Sequence, residues 1–199
     1  MRRSGEKNMR ICLYGASSND LDARYLDAAH AIGKLLAEHG HSLVYGGGAQ
    51  GIMGATARGV REGGGEVLGV APDFLNVDGV LYEGCTQFIY TKTMRERKQI
   101  MEEQAEAFIL APGGFGSFEE FFEILTLKQL GRHNKAIAIL NTNGYYEPMQ
   151  QMMRNAVTQG FARAACLEIY RMFDDGAALL DYLEHYDPQA LDVKHLKNI

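Results

Sequence analysis

The chain has 199 residues, of which 46% are hydrophobic and 23% charged, so it can bury a full core and is neither disordered nor fibrous. A formal net charge of -5 excludes the basic face of a general nucleic-acid binder, yet leaves room for one small anion held by local groups. No apolar stretch approaches the roughly 20 residues of a membrane span, and the basic start MRRSGEKN lacks the apolar run of a secretory signal. Cys12, Cys85 and Cys166 are scattered and form no CxxC, which points to a reducing compartment and to neither zinc nor a disulfide framework. The expectation is a cytoplasmic protein with a leader over residues 1–9, one domain over 10–186 and a tail over 187–199.

In chain order, short apolar runs read as strands over Arg10–Tyr14, Ser42–Tyr45, Glu66–Ala71, Thr86–Tyr90, Ala107–Ala111 and Ala136–Leu140, with a seventh within Leu167–Met172. Amphipathic segments between and after them predict helices over Leu21–Glu38, Gly51–Glu62, Thr93–Glu103, Ser117–Leu130, Tyr146–Gln159 and Asp174–His185. Nearly continuous apolar strands alternating with helices require an α/β fold: an open, doubly wound parallel sheet flanked by helices. In such sheets ligands bind outside the carboxyl ends of the strands. Glycine turns fall there three times: YGASS after the first strand, YGGGAQG after the second and APGGFGS after the fifth.

The segment YGGGAQGIMG carries Gly46, Gly47, Gly48 and Gly51 between a strand and a helix. Glycines let a backbone approach a phosphate, and a helix N-terminus supplies free N–H groups and a positive dipole end. The alternatives are a tight turn with close helix–strand packing, or, with Asp73 as a ribose-binding acid, a site for NAD(P). Against the dinucleotide, the motif follows the second strand instead of the first.

The segment PGGFGSFEE places Gly113, Gly114 and Gly116 before a helix that Ser117 would N-cap, again an anion cradle. Ser117-x-x-Glu120 also reads as a capping box, which accounts for one glutamate. It does not account for both Glu119 and Glu120 beside a cradle whose ligand they would repel. Phe118, Phe121, Phe122, Ile124, Leu125, Leu127 and Leu130 spread round most of this helix, so it reads as buried. Glu119, Glu120 and Glu123 are then partly enclosed, where carboxyl pKa values rise and acid–base roles open; Glu123, one turn further in, is the structural one.

In TMRERKQIM, helical spacing puts Met94, Arg97, Lys98 and Met101 on one side and Arg95, Gln99 and Glu102 on the other, solvated side. Arg97 is carried into apolar surroundings and must meet a carboxylate or an anion. The six histidines show no ligand spacing, so no metal is expected. MQQMM over Met149–Met153 suits a core or a subunit interface.

Together and in this order, YGGGxxGxMG, a MxxRK segment, PGGxGSxEE and the downstream Gly144-Tyr145-Tyr146 resemble the LOG (Lonely Guy) family of cytokinin-activating phosphoribohydrolases, long mislabelled lysine decarboxylases. The resemblance covers about Arg10 to Phe161. It implies a Rossmann-like homodimer that takes a nucleoside 5′-monophosphate, hydrolyses its N-glycosidic bond and needs no cofactor, with no nucleic-acid or membrane partner. It also implies that Arg97 and the pair Glu119/Glu120 are catalytic and that Gly113 to Ser117 cradle the phosphate, with Lys98 and Thr126 at substrate positions. Three departures stand out: Ser117 replaces the usual threonine, Arg95 stands where histidine is common, and Asp78-Gly79 replaces a substrate-contacting glutamate of plant members. A non-catalytic nucleotide sensor on the same fold is the rival reading. Lysine decarboxylation is rejected, since no feature marks a pyridoxal lysine.

Overall fold

The computed structural model describes residues 8–188 and Leu196. Seven strands form one sheet: β1 (Arg10–Tyr14), β2 (Ser42–Tyr45), β3 (Val67–Pro72), β4 (Gln87–Thr91), β5 (Ala107–Leu110), β6 (Ala136–Leu140) and β7 (Arg171–Phe173). Every pairing is parallel and the order is β4-β3-β2-β1-β5-β6-β7. β1 lies at the centre, with Leu13 in register with Tyr45 on one side and Ile109 on the other.

Six helices cover the two faces: α1 (Ala23–Glu38), α2 (Gly51–Glu62), α3 (Met94–Gln104), α4 (Phe115–Gln129), α5 (Glu147–Thr158) and α6 (Gly176–Glu184). Alternation along β1 divides the core. Ile11 and Leu13 pack with α1, α2 and α6, while Cys12 and Tyr14 pack with α3, α4 and α5. This is the doubly wound α/β arrangement expected from the alternating runs.

Several boundaries differ from the sequence reading, each for a local reason. α1 starts at Ala23 because the Asp22 carboxylate caps it, accepting from the Arg24 N–H at 3.0 Å. Most of the seventh apolar run is not strand. A 3₁₀ turn occupies Ala164–Leu167, and Ile169 and Tyr170 bury their side chains ahead of β7 without joining the ladder. α4 starts at Phe115 instead of Ser117, and Gly114 is its N-cap.

Nor is α4 buried all round. Phe121, Ile124 and Lys128 face the core, Phe118, Phe122, Leu125 and Leu127 are half-buried, and Phe115 and Leu130 are exposed. The apolar circumference therefore includes a strip at the surface of the single chain.

Residues 1–7 of the expected leader lie outside the described residues, as does the tail from 189 to 195 and from 197 to 199. Met9 is tied in, its N–H donating to Nδ1 of His41 at 3.1 Å, and Leu196 is buried against the α4 face of the core. Among the described residues no helix is long and apolar enough to cross a membrane, and no cluster of three or more His, Cys, Asp or Glu could hold a metal ion.

Candidate active site

The chain winds away from β1 in opposite directions, towards β2–β4 on one side and β5–β7 on the other. The loops after β1 and β5 therefore part at the carboxyl edge of the sheet, the place where doubly wound folds open a crevice. One hydrogen bond ties them, from the Ala16 N–H to the Pro112 carbonyl at 3.0 Å. α4 begins in this gap. Its first-turn N–H groups, on Phe115, Gly116 and Ser117, have no partner within the helix. Gly114 and Gly116 are exposed, and a Cβ on either would meet nothing within 4 Å, so the outer side of the turn is open. Gly113 is different: a Cβ there would lie 2.2 Å from Oγ of Ser117, so the serine sits directly against the glycine backbone. Ser117 is thus the third residue of α4 and buried, instead of its cap.

The capping box expected at Ser117–Glu120 does not form, because the helix begins two residues early and Glu120 turns elsewhere. Such a reciprocal arrangement forms at α3, where Thr93 accepts from the Glu96 N–H and Glu96 accepts from the Lys92 N–H. That cap fixes the start of α3, and one turn on, Arg97 enters the core at 6% exposure. Its Nε donates to the Val70 carbonyl at 3.1 Å and its Nη1 to Oε1 of Glu120 at 2.7 Å.

Glu120 is nearly enclosed, with 12% of its side chain exposed. Burial raises its carboxyl pKa above the ordinary value, and the opposing pull of Arg97 does not cancel the rise. Beneath the pair lie Tyr14 and Cys12, whose own pKa values burial drives up, so both stay neutral and add no charge. The result is one guanidinium and one carboxylate over neutral groups, one helical turn (about 5.4 Å) from the open N-terminus of α4.

The remaining candidates divide. Glu119 is exposed and pairs with Lys98, which also holds Oε2 of Glu123 at 2.8 Å. Lys98 therefore serves two carboxylates on α4 instead of extending the cradle, and Glu123, like Glu119, is exposed and not enclosed as the sequence suggested, because α4 turns this side outward. Arg95 is exposed. Thr126 is exposed and nine residues beyond Ser117, about 14 Å along the helix axis, so its own chain does not bring it to the turn.

The first glycine loop departs from the phosphate-cradle expectation, because the chain itself fills it. The Gly51 N–H donates to Oδ1 of Asn19 at 2.7 Å and the Met53 N–H to the Ala16 carbonyl at 3.2 Å, so two N-terminal donors of α2 are already engaged. The loop is also covered, since Ala49 donates to Val80 and Gly48 bridges Leu81. Its glycines serve close packing. At Gly46 a Cβ would lie 2.0 Å from Nη2 of Arg97, so only glycine leaves room for the guanidinium. This packing also removes the basis for the NAD(P) reading, and Asp73 stands exposed at the end of β3.

Comparison with known proteins bears on this arrangement. The profile of a family described as possible lysine decarboxylase matches residues 53–183. The Arabidopsis thaliana cytokinin riboside 5′-monophosphate phosphoribohydrolase LOG2 is 37% identical over 95% of this chain and 89% of its own length. The Oryza sativa enzyme LOG is 39% identical over 90% of this chain and 74% of its own. This chain belongs to the LOG family. Solved structures show the same fold at lower identity: a molybdenum cofactor binding protein from Rippkaea orientalis (TM-score 0.69, 17% identical, 88% of this chain and 94% of that one) and the molybdenum cofactor carrier protein of Chlamydomonas reinhardtii (TM-score 0.67, 22% identical, 89% and 98%).

The older label of the LOG family draws attention to lysines, and one is unusual. Lys128 is fully buried, and burial pushes its pKa down to about 7. Its ammonium donates to the Lys135 carbonyl at 2.8 Å and the Tyr186 hydroxyl at 2.9 Å, at the far end of α4 from the glycine turn. It is a structural tie. A cavity of about 620 Å³ lies at the opposite, amino edge of the sheet, lined by Met9, Glu106, Lys135 and Glu184 among others, and shares no residue with the Arg97–Glu120 pair.

The sequence reading missed three contributors. Asn19 caps α2 from the loop after β1, across 32 residues, and no local pattern announces it. Tyr145 and Tyr146 were visible only as part of the GYY signature. In the structure their hydroxyls donate to the Gly113 and Ala111 carbonyls at 2.7 and 2.8 Å, beneath the turn that opens α4.

The fit of Arg97 against Gly46 carries a direct test. Gly46→Ala displaces the guanidinium from Glu120, and with its stabilising charge gone the Glu120 carboxyl pKa rises further. A ¹³C-NMR titration of the side-chain carboxyl checks this; an unchanged pKa contradicts the contact.

Proposed function

We propose that this chain hydrolyses the N-glycosidic bond of adenosine-type nucleoside 5′-monophosphates, N6-substituted ones included, releasing the free base and ribose 5-phosphate. The observation that carries the reading is the position of Glu120: nearly enclosed, paired with Arg97, and one turn from a glycine-opened helix N-terminus. A helix N-terminus with free N–H groups suits a phosphate. One helical turn is on the scale of a ribose ring, so a phosphate at Gly114–Ser117 leaves the sugar against Glu120. The Arabidopsis and rice relatives are named for this reaction.

The chemistry follows from the residues. Leaving of the base builds positive charge on the ribose, as in other glycoside hydrolyses. An ionised Glu120 stabilises that charge and takes a proton from the attacking water, whose oxygen bonds to C1′; the base leaves with the electron pair of the C1′–N bond and takes up a proton from solvent. Arg97 holds Glu120 in place through the short Nη1 contact, and its bond to the Val70 carbonyl fixes the guanidinium in turn. The Gly113–Ser117 turn holds the phosphate and so positions the sugar. In this reading Glu119, exposed and bound to Lys98, contacts ribose hydroxyls and moves no proton.

The same reading assigns the chain to the cytoplasm, in keeping with its three free cysteines, and to a homodimer. The exposed Phe115, Leu130 and Met152 offer apolar surface for such a contact. Analytical ultracentrifugation should give a mass near twice 22.0 kDa; a 22.0 kDa species at micromolar concentration contradicts the dimer.

Incubation with AMP and with isopentenyladenosine 5′-monophosphate should release free base, followed by chromatography. Binding without turnover across a panel of nucleoside monophosphates sinks the hydrolase. Glu120→Gln and Arg97→Ala should lower kcat/KM by roughly 10²- to 10⁴-fold, and Glu119→Gln by about fivefold, the scale of an exposed ion pair. Since the base must be ionised and its pKa is raised, activity climbs with pH through a limb above the usual carboxylate range, and Glu120→Gln lacks that limb.

A further inference from the structure

The turn that opens α4 is built from two adjacent glycines, and a peptide between glycines rotates with little steric resistance. The orientation of the Gly113–Gly114 peptide decides what the turn presents. In a trans peptide the C=O and the following N–H point in opposite directions. With the Gly113 carbonyl turned inward, the Gly114 N–H joins the free donors of Phe115, Gly116 and Ser117 on the outer side. With the peptide reversed, a carbonyl oxygen stands where an anion would sit and repels it. On the Gly114 side nothing sets the choice, because a Cβ there would meet nothing within 4 Å, whereas the Gly113 side is packed against Ser117.

One side chain does choose. The Tyr145 hydroxyl donates to the Gly113 carbonyl at 2.7 Å. Next to it the Tyr146 hydroxyl donates to the Ala111 carbonyl at 2.8 Å. Two carbonyls of the turn, those of Ala111 and Gly113, are therefore held from below by two tyrosines from the loop after β6.

That loop is unusually constrained. Asn143 has φ +56°, and among the described residues it is the one non-glycine with a positive φ; Gly144 follows at φ +70°. Two successive left-handed residues make a sharp reversal that aims Tyr145 back at the glycine turn, and a left-handed non-glycine persists only where its surroundings hold it. Here Asn141 does so. Its side chain is buried, accepts from the Tyr146 N–H at 2.8 Å and donates to Asp174 at 2.8 Å and Glu147 at 3.1 Å.

We propose that Tyr145 is a positioning residue for phosphate recognition, its hydroxyl locking the Gly113–Gly114 peptide with the Gly114 N–H directed at the phosphate. This rests on the reading of the α4 N-terminus as the phosphate site and adds the part that keeps it in its binding form. Tyr145 itself touches no substrate. Tyr145→Phe keeps the ring, with its edge contacts to Tyr25 and Tyr146, and removes only the lock.

The experiment compares wild type and Tyr145→Phe by calorimetric titration with ribose 5-phosphate and with adenine, alongside kcat and KM for AMP and a thermal melt. An ordinary hydrogen bond corresponds to roughly 2- to 12-fold. The lock predicts that affinity for ribose 5-phosphate falls by that factor, that adenine binding is unchanged, and that KM rises with kcat nearly constant. In ¹⁵N-glycine spectra the Gly114 amide should shift on adding ribose 5-phosphate to wild type and shift less in the variant. Equal weakening of both ligands, or no change for ribose 5-phosphate, overturns the proposal, as does a wild type that binds no ribose 5-phosphate. A wild type that binds it but releases no base from AMP overturns the hydrolase reading alone; the lock is then decided by the same titration.

Discussion

Everything at the carboxyl edge of this sheet is arranged around one buried ion pair, Arg97 with Glu120. A charge taken out of water is costly unless it is paired and hydrogen-bonded, and removing one partner of such a pair costs on the order of 3–5 kcal/mol. The neighbouring elements meet those conditions together. α3 is capped so that Arg97 enters the core, β3 offers the Val70 carbonyl, the loop after β2 has no side chain at Gly46, and α4 begins early enough to aim Glu120 inward. Burial raises the carboxyl pKa and the guanidinium opposes the rise.

Two glycine loops that look alike in the sequence do different physical work. The loop after β2 is closed by the chain itself: Asn19 and Ala16 take the first donors of α2, and residues 80–82 lie across it. The loop after β5 keeps its donors free and is held from below by Tyr145 and Tyr146. A glycine run before a helix thus announces close backbone approach without saying whether a ligand or another part of the same chain comes near. The acidic overall charge fits the same picture. One anion needs one turn of backbone N–H groups, and the nearby Lys98 goes to neutralising Glu119 and Glu123.

The sheet and its helices were legible because their signal is local: β-branched runs buried on both faces, separated by helical periodicity. Strand limits fell within one residue for β1 to β6. The burial of Arg97 was legible too, from its neighbours Met94 and Met101 and the cost of an unpaired guanidinium. Its partner was harder. Ser117-x-x-Glu120 is a valid capping pattern, and only the position of Gly114 and Phe115 in three dimensions shows that the cap falls earlier and frees Glu120 for Arg97. The closure of α2 by Asn19 and the reach of Tyr145 to Gly113 each span 32 residues, beyond any periodicity or local motif. The seventh strand was misjudged because an apolar run reports burial, and a turn can bury Ile169 and Tyr170 as well as a strand can.

With a phosphate held at the start of α4 and the chemistry at Glu120 one turn away, the phosphate is the handle by which the sugar is positioned. The most direct measurement is the ratio of kcat/KM for AMP to that for adenosine in the unmodified protein. Two charge-assisted hydrogen bonds to the phosphate predict a preference of at least roughly 10²-fold for AMP; equal values for the two substrates would contradict it.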